Sequence, residues 1–277
     1  MVVRDRPAAS RQLAVVSYYR LSAYWYPLRS PPGADSFARD VTFERVVELY
    51  EFDRHLRLAL LDAIERVEVA VRTKLTYEFA HRHGPSGHCD PAHFEPHFNH
   101  ASWLTLLDQE VTKSRETFAA HYRTKYIGFP RVPLWMATEV MSFGALTRLY
   151  KGCRLDLRAD LAKGFGCHES VLASWLLCLS YVRNLCAHHS RVWNRDLAIA
   201  PKIPHRDRRW HSAQLSKPDR AFGVMLVLRS MLRSLDLGGD WAARMEVEFA
   251  RDLADPFIAR GIGIAGDWAQ HPVWRGT

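Results

Sequence analysis

Sixteen residues of the 277-residue chain gather the side chains best suited to moving protons beside a phosphate: Ser180–Arg195, SYVRNLCAHHSRVWNR. Set on a helix at about 100° per residue, Ser180, Asn184, His188, Arg191 and Arg195 fall in one polar band less than about 90° wide. Leu179, Val182, Cys186 and Trp193 lie roughly opposite, on the side a core would take, and His189 falls with them. The adjacent histidines are therefore inequivalent. His188 projects one turn beyond Asn184, and Arg183 sits on the flank, long enough to reach round. A histidine can transfer protons near neutral pH, an arginine can hold a phosphate and stabilise charge building on it, and an amide can orient either.

The bare spacing, Arg and His with four to six residues between them, is weakly specific in a chain with 31 Arg and 14 His. It recurs from Arg82 to His88, from Arg115 to His121 and from Arg206 to His211. Only Arg183 combines a following Asn, a helical context and a polar stripe. The plainer alternative is a helix whose polar face is solvated or paired with acids.

The elements that must position this stripe read as helices nearly throughout. From Thr42 to Arg82, Leu56, Leu60, Ile64, Val67, Val71 and Leu75 recur at three- and four-residue steps with no Gly or Pro between them. Asp40 or Thr42 suits the cap, and Gly84-Pro85 the stop. Further helices are expected at Ser102–Tyr126, Leu134–Lys151, Leu155–Phe165, His168–Arg195, Asp219–Leu235 and Trp241–Leu253. Alternating strand patterns are almost absent, so the expected class is all-α, a helical bundle. The irregular basic stretch Pro201–Pro218 separates a domain over residues 1–200 from an appendage over 201–277, expected to pack on the same domain.

Composition bounds the partners. The formal charge is +8, and only 7 of the 38 basic residues are Lys. Arginine grips phosphate through a planar fork and stacks on bases, which suits nucleic acid, although a GC-rich coding bias gives the same excess. Val171–Val182 is the longest weakly polar run, short for a bilayer. The start, MVVRDRPAASRQL, has no apolar signal core. Cys89, Cys153, Cys167, Cys178 and Cys186 form an odd, scattered set without a C-x-x-C pair, so the expectation is a cytoplasmic protein with no membrane partner.

RNLCAHHSRVWNR (Arg183–Arg195) closely resembles the signature of the Abi-like family of bacterial abortive-infection proteins, the AbiD/AbiF group. YYRLSAYWYPL (Tyr18–Leu28), LYEFDRHLRLALLDAIERVEVAVRT (Leu49–Thr73), the turn at Gly84 and PLWMATEVMSFGALTRLY (Pro133–Tyr150) match in order, so the likeness covers about residues 15–205. It departs at the start, where only about seventeen residues precede Tyr18 and family members often carry a further helix.

That family resembles the wider HEPN class, helical bundles whose Arg-x4–6-His motif forms a metal-independent ribonuclease site where two copies meet. The resemblance implies a HEPN-like bundle with additional helices, a homodimer through the Arg183–His188 helix, and no cofactor. It implies attack of an RNA 2′-hydroxyl on the neighbouring phosphate, with His188 for proton transfer, Arg183 for the phosphate and Asn184 for orientation. RNA is then the substrate, and a regulatory non-coding RNA a further partner. The rivals are a non-cleaving RNA-binding module that sequesters an RNA or a protein, and a helical adaptor.

Other residues are weighed beside these. Arg191, Arg195, Lys202, Arg206, Arg208 and Arg209 are expected to track an RNA backbone, with Trp210 stacking a base. His81, His83, His88, Cys89, His93, His97 and His100 carry zinc-type donors but no finger spacing, so no metal site is assigned and a solvated or RNA-facing loop is expected. Tyr18, Tyr19, Tyr24, Trp25 and Tyr26 read as core rather than as a stacking platform. Glu65, Glu68 and Arg72 suggest an intrahelical ion pair, and Glu139 is a weaker candidate for the site.

Overall fold

The computed structural model describes residues 1–30, 35–38, 40–237 and 239–277. Its organising element is a helix of 41 residues, Phe43–His83 (α3 in chain order), about 60 Å long at 1.5 Å per residue. Thr42 opens it by accepting the Arg45 N–H at 3.2 Å. Gly84, at φ 74, closes it by returning its N–H to Ala80. The six apolar residues singled out by their spacing are all buried along it.

Twelve further helices surround this spine among the described residues. Before it come α1 (Arg6–Val16) and α2 (Tyr18–Trp25). After it run α4 (His100–Lys113), α5 (Thr117–Lys125), α6 (Leu134–Val140), α7 (Phe143–Gly152), α8 (Leu155–Gly164) and α9 (Glu169–Ala187). The chain ends with α10 (Ala221–Ser234), α11 (Gly239–Leu253), α12 (Pro256–Gly261) and α13 (Pro272–Arg275). Four isolated bridges are the only extended pairings among the described residues. The fold is all-α.

Two expected helices are each broken in two by serine. Ser114 is extended (ψ 134) and its hydroxyl accepts the Glu116 N–H, separating α4 from α5. Ser142 caps α7 by accepting the Ala145 N–H at 3.2 Å, separating it from α6. A serine side chain offers the backbone an alternative to the helical ladder, and apolar periodicity runs on through such a break.

Helices α2, α6, α8, α9, α10 and α11 pack along α3. Three buried tryptophans tie distant segments together, each donating its indole N–H to a carbonyl. Trp241 reaches Ala59 O at 2.9 Å, Trp175 reaches Lys202 O at 2.9 Å and Trp193 reaches Ile258 O at 3.2 Å. An indole hydrogen-bonded this way buries a large apolar surface without leaving its polar atom unpaired. Through Trp241, and through the ion pair Arg66–Asp240 at 2.9 Å, the C-terminal helices lie on the same spine.

By length and composition α9 also qualifies as a membrane-crossing helix, with a mean hydropathy of 1.3 over its best window. Val171–Val182 alone is shorter than this helix. The apolar side of α9 is buried against α3, α7 and α8, the packing of a core helix.

Candidate functional site

Helix α9 carries Arg183 and Asn184 in its last turn, and His188 caps its C-terminus. Leu172, Trp175, Leu176, Leu179, Val182 and Cys186 fix its orientation by burial. Arg183, Asn184 and His188 are left exposed together. Arg183 Nη1 donates to Asn184 Oδ1 at 3.3 Å. Ser180, expected in the same stripe, is instead buried beside Gly144 of α7.

The helix does not continue to Arg195. At its end the Ser190 N–H returns to Leu185 O at 2.8 Å and the His189 N–H to Cys186 O at 3.0 Å. This pairing reverses the chain through one left-handed residue, a place that usually falls to glycine. Here it is His189, at φ 56. His189 is consequently exposed rather than on the apolar side. Arg20 of α2 holds the turn, donating from Nη1 to His189 O at 2.7 Å.

The folded-back segment is anchored by a carboxylate that the spacing did not single out. Asp53, fully buried on α3, accepts from the Val192 N–H at 3.0 Å and the Trp193 N–H at 2.7 Å through Oδ1. Its Oδ2 receives the Tyr24 hydroxyl at 2.5 Å and the Arg57 guanidinium. An acid four residues before an arginine, both on the buried side of an apolar helix, is the signal that could have marked it. Asp53 thus places the backbone just beyond the two histidines.

The expected RNA-contacting residues divide. Arg191 is half-buried and donates to Ala23 O at 3.1 Å, and desolvation pulls its pKa below the usual arginine value. Arg195 donates to Arg191 O at 3.2 Å. Both serve the reversal of the chain, because that reversal removes them from the α9 stripe. Lys202, Arg206, Arg208 and Arg209 gather beyond the other end of α9, where Lys202 Nζ contacts Ser170 Oγ at 3.2 Å. Arg209 grips Asp207 with both arms, at 2.9 and 2.7 Å. Trp210 is buried against Trp175, ring centroids 5.3 Å apart, and offers no face for a base.

The aromatic run from Tyr18 to Tyr26 splits, with Tyr24 and Trp25 inside and Tyr18, Tyr19 and Tyr26 exposed. The histidine-rich loop is packed rather than solvated at several positions. His88 and His100 are buried, and His83 stacks on His93 at 4.0 Å. No group of three or more His, Cys, Asp or Glu suited to a metal occurs among the described residues. Glu68 and Arg72 form the anticipated ion pair at 2.9 Å. Glu139 lines a different groove, beside Arg72 and Trp135.

The chain belongs to the Abi-like protein family, whose model matches residues 11–194. Searches of curated proteins and of solved structures return no match. The matched region spans α2, the Asp53 anchor and the whole Arg183–Asn194 segment.

Proposed function

We propose that this protein is an abortive-infection endoribonuclease of the HEPN type, acting without a metal on RNA. Membership of the Abi-like family points to the abortive-infection role. The observation that carries the chemistry is the joint exposure of Arg183, Asn184 and His188 on the end of one helix, with Arg183 turned to Asn184 rather than to an acid. A solvated helix face that merely balanced charge would pair its arginine with a carboxylate, as Arg66, Arg82 and Arg158 do elsewhere in the molecule.

In the proposed reaction His188 takes the proton from an RNA 2′-hydroxyl. The 2′-oxygen attacks the adjacent phosphorus, and Arg183 neutralises the charge growing on the phosphate oxygens. The bond from phosphorus to the 5′-oxygen breaks, leaving a 2′,3′-cyclic phosphate and a 5′-hydroxyl. The proton needed by the departing 5′-oxygen comes from His188 of a second copy. Leu177 and Asn184 are exposed along the same side of α9, with Tyr181 partly so. That strip suits an isologous contact bringing two such helix ends together in a homodimer. Arg208 and the neighbouring Lys202 and Arg206 extend the positive surface for a longer RNA, whether substrate or regulatory.

The test is cleavage of an RNA panel in EDTA by the wild type, His188→Ala and His189→Ala. The proposal requires loss in His188→Ala alone, and 2′,3′-cyclic phosphate ends on the products. Cleavage that survives His188→Ala overturns the site. RNA binding without cleavage by every form turns the reading to a sequestering module.

A further inference from the structure

We propose that the cleft between the start of α9 and residues 202–210 is a binding site for a nucleoside phosphate, separate from the Arg183–His188 site. It is an open cleft of about 730 Å³, within the range of clefts that hold ligands of that size and far more than a bare phosphate fills. The inference does not rest on RNA cleavage.

Charge is the first argument. Lys163, Lys202, Arg206 and Arg209 line the cleft against a single carboxylate, Asp207. Asp207 is taken up by the fork of Arg209, and Lys163 is paired with Asp160 at 2.9 Å. Among the described residues the Lys202 ammonium meets only the Ser170 hydroxyl, and Arg206 enters no ion pair. Two uncommitted cations thus face a concave, positively biased space whose walls concentrate the field.

Shape is the second. The floor is apolar and includes Val171 with the little of the buried pair Trp175 and Trp210 that reaches the surface. His205 adds an exposed imidazole on the rim. A phosphate held by Lys202 and Arg206 would leave a base and sugar to cover that floor.

The chemistry of the lining makes this a place of binding rather than reaction. Its one thiol, Cys167, is pushed up to about 12 by burial and is no nucleophile. His188 lies twenty residues farther along, about 30 Å at 1.5 Å per residue. A ligand here touches the same helix at its opposite end.

Two sources carry the ligand's chemistry, a free nucleotide and the 5′-phosphorylated end of an RNA. Calorimetric titration of the full chain separates them. The probes are AMP, adenosine, and a 2′-O-methyl RNA octamer with a 5′-phosphate or a 5′-hydroxyl. AMP or the phosphorylated octamer is expected to bind at least about tenfold tighter than its unphosphorylated counterpart, a difference of about 1.4 kcal/mol. Whichever pair shows the difference names the source. The exposed double variant Lys202→Gln/Arg206→Gln should lose that preference with its thermal transition unchanged, and His188→Ala should keep it. Equal affinity within both pairs, or a preference that survives the double variant, overturns the proposal.

Discussion

Asp53 Oδ1 accepts the Trp193 N–H at 2.7 Å, joining the first third of α3 to a segment 140 positions downstream. Four donors converge on this carboxylate in a dry interior: two amides, the Tyr24 hydroxyl and the Arg57 guanidinium. Asp53→Ala strands all of them, and removing one partner of a buried ion pair costs about 3–5 kcal/mol. Urea unfolding should show a loss of that size. Asp53→Asn keeps an acceptor for the amides but sets an NH2 against Arg57, so it should fall between the two. A change below about 0.5 kcal/mol, the level of ordinary surface substitutions, in Asp53→Ala would refute the anchor.

The turn at His189 makes an opposite prediction. A non-glycine residue in the left-handed region carries about 1 kcal/mol of strain. His189→Gly should therefore be as stable as the wild type or more so, by up to about 1 kcal/mol, while β-branched His189→Val should be less stable by at least as much. Chemical denaturation decides the order. If His188 is the proton carrier, the glycine variant also keeps its ribonuclease activity.

Arg20→Ala removes the donor that holds the His189 carbonyl. The side chain is at the surface, so the stability change should stay within about 1 kcal/mol. Cleavage should fall more than stability, because the backbone beside His188 loses its brace. Arg20→Lys, with a single ammonium, should restore part of the rate. Unchanged kcat in Arg20→Ala would make the contact incidental.

Gly261 leaves no room for a side chain. A Cβ there would come within 2.1 Å of Trp193 Nε1. Gly261→Ala must push Trp193 from its place and loosen its bond to Ile258, at about 1–3 kcal/mol. Trp193 lies five residues beyond His188 of the proposed site, so activity and the thermal midpoint should drop together.

Acid should weaken the fold through two histidines. Burial lowers His88 and His271 to about 4 from the ordinary 6.5, with His100 and Arg131 adding repulsion at His88. Below pH 6.5 the unfolded chain takes up protons that the folded chain refuses, so stability falls with pH until about 4. At pH 5 each histidine accounts for about 2 kcal/mol. His88→Gln should flatten the pH dependence of urea unfolding between pH 6.5 and 4. An undiminished slope would assign it to other groups.

What could be read from the residues in order was what depends on neighbours in order. The long α3 follows from uninterrupted apolar steps, and Arg183, Asn184 and His188 lie within six residues on one helix. The end of α9 was hidden because its reversal uses His189 where a glycine would have announced it. The fates of Arg191 and Trp210 were hidden for a different reason. A local pattern shows a basic or aromatic residue, but its partner, Ala23 O or the Trp175 ring, comes from elsewhere in the chain. Asp53 was legible as an oddity on an apolar face, yet its purpose appeared only with the segment it holds.

The deep placement of Cys186, two residues before His188, gives the molecule an internal clock. Its thiol is buried and raised to about 12, so a maleimide in neutral solution finds neither access nor thiolate while the segment is closed. Modification can proceed only during openings, and Cys178, buried mid-helix, offers a second hand on the same α9. The ratio of their labelling rates would separate fraying of the helix end that carries His188 from release of the whole helix, on a protein with no cysteine introduced.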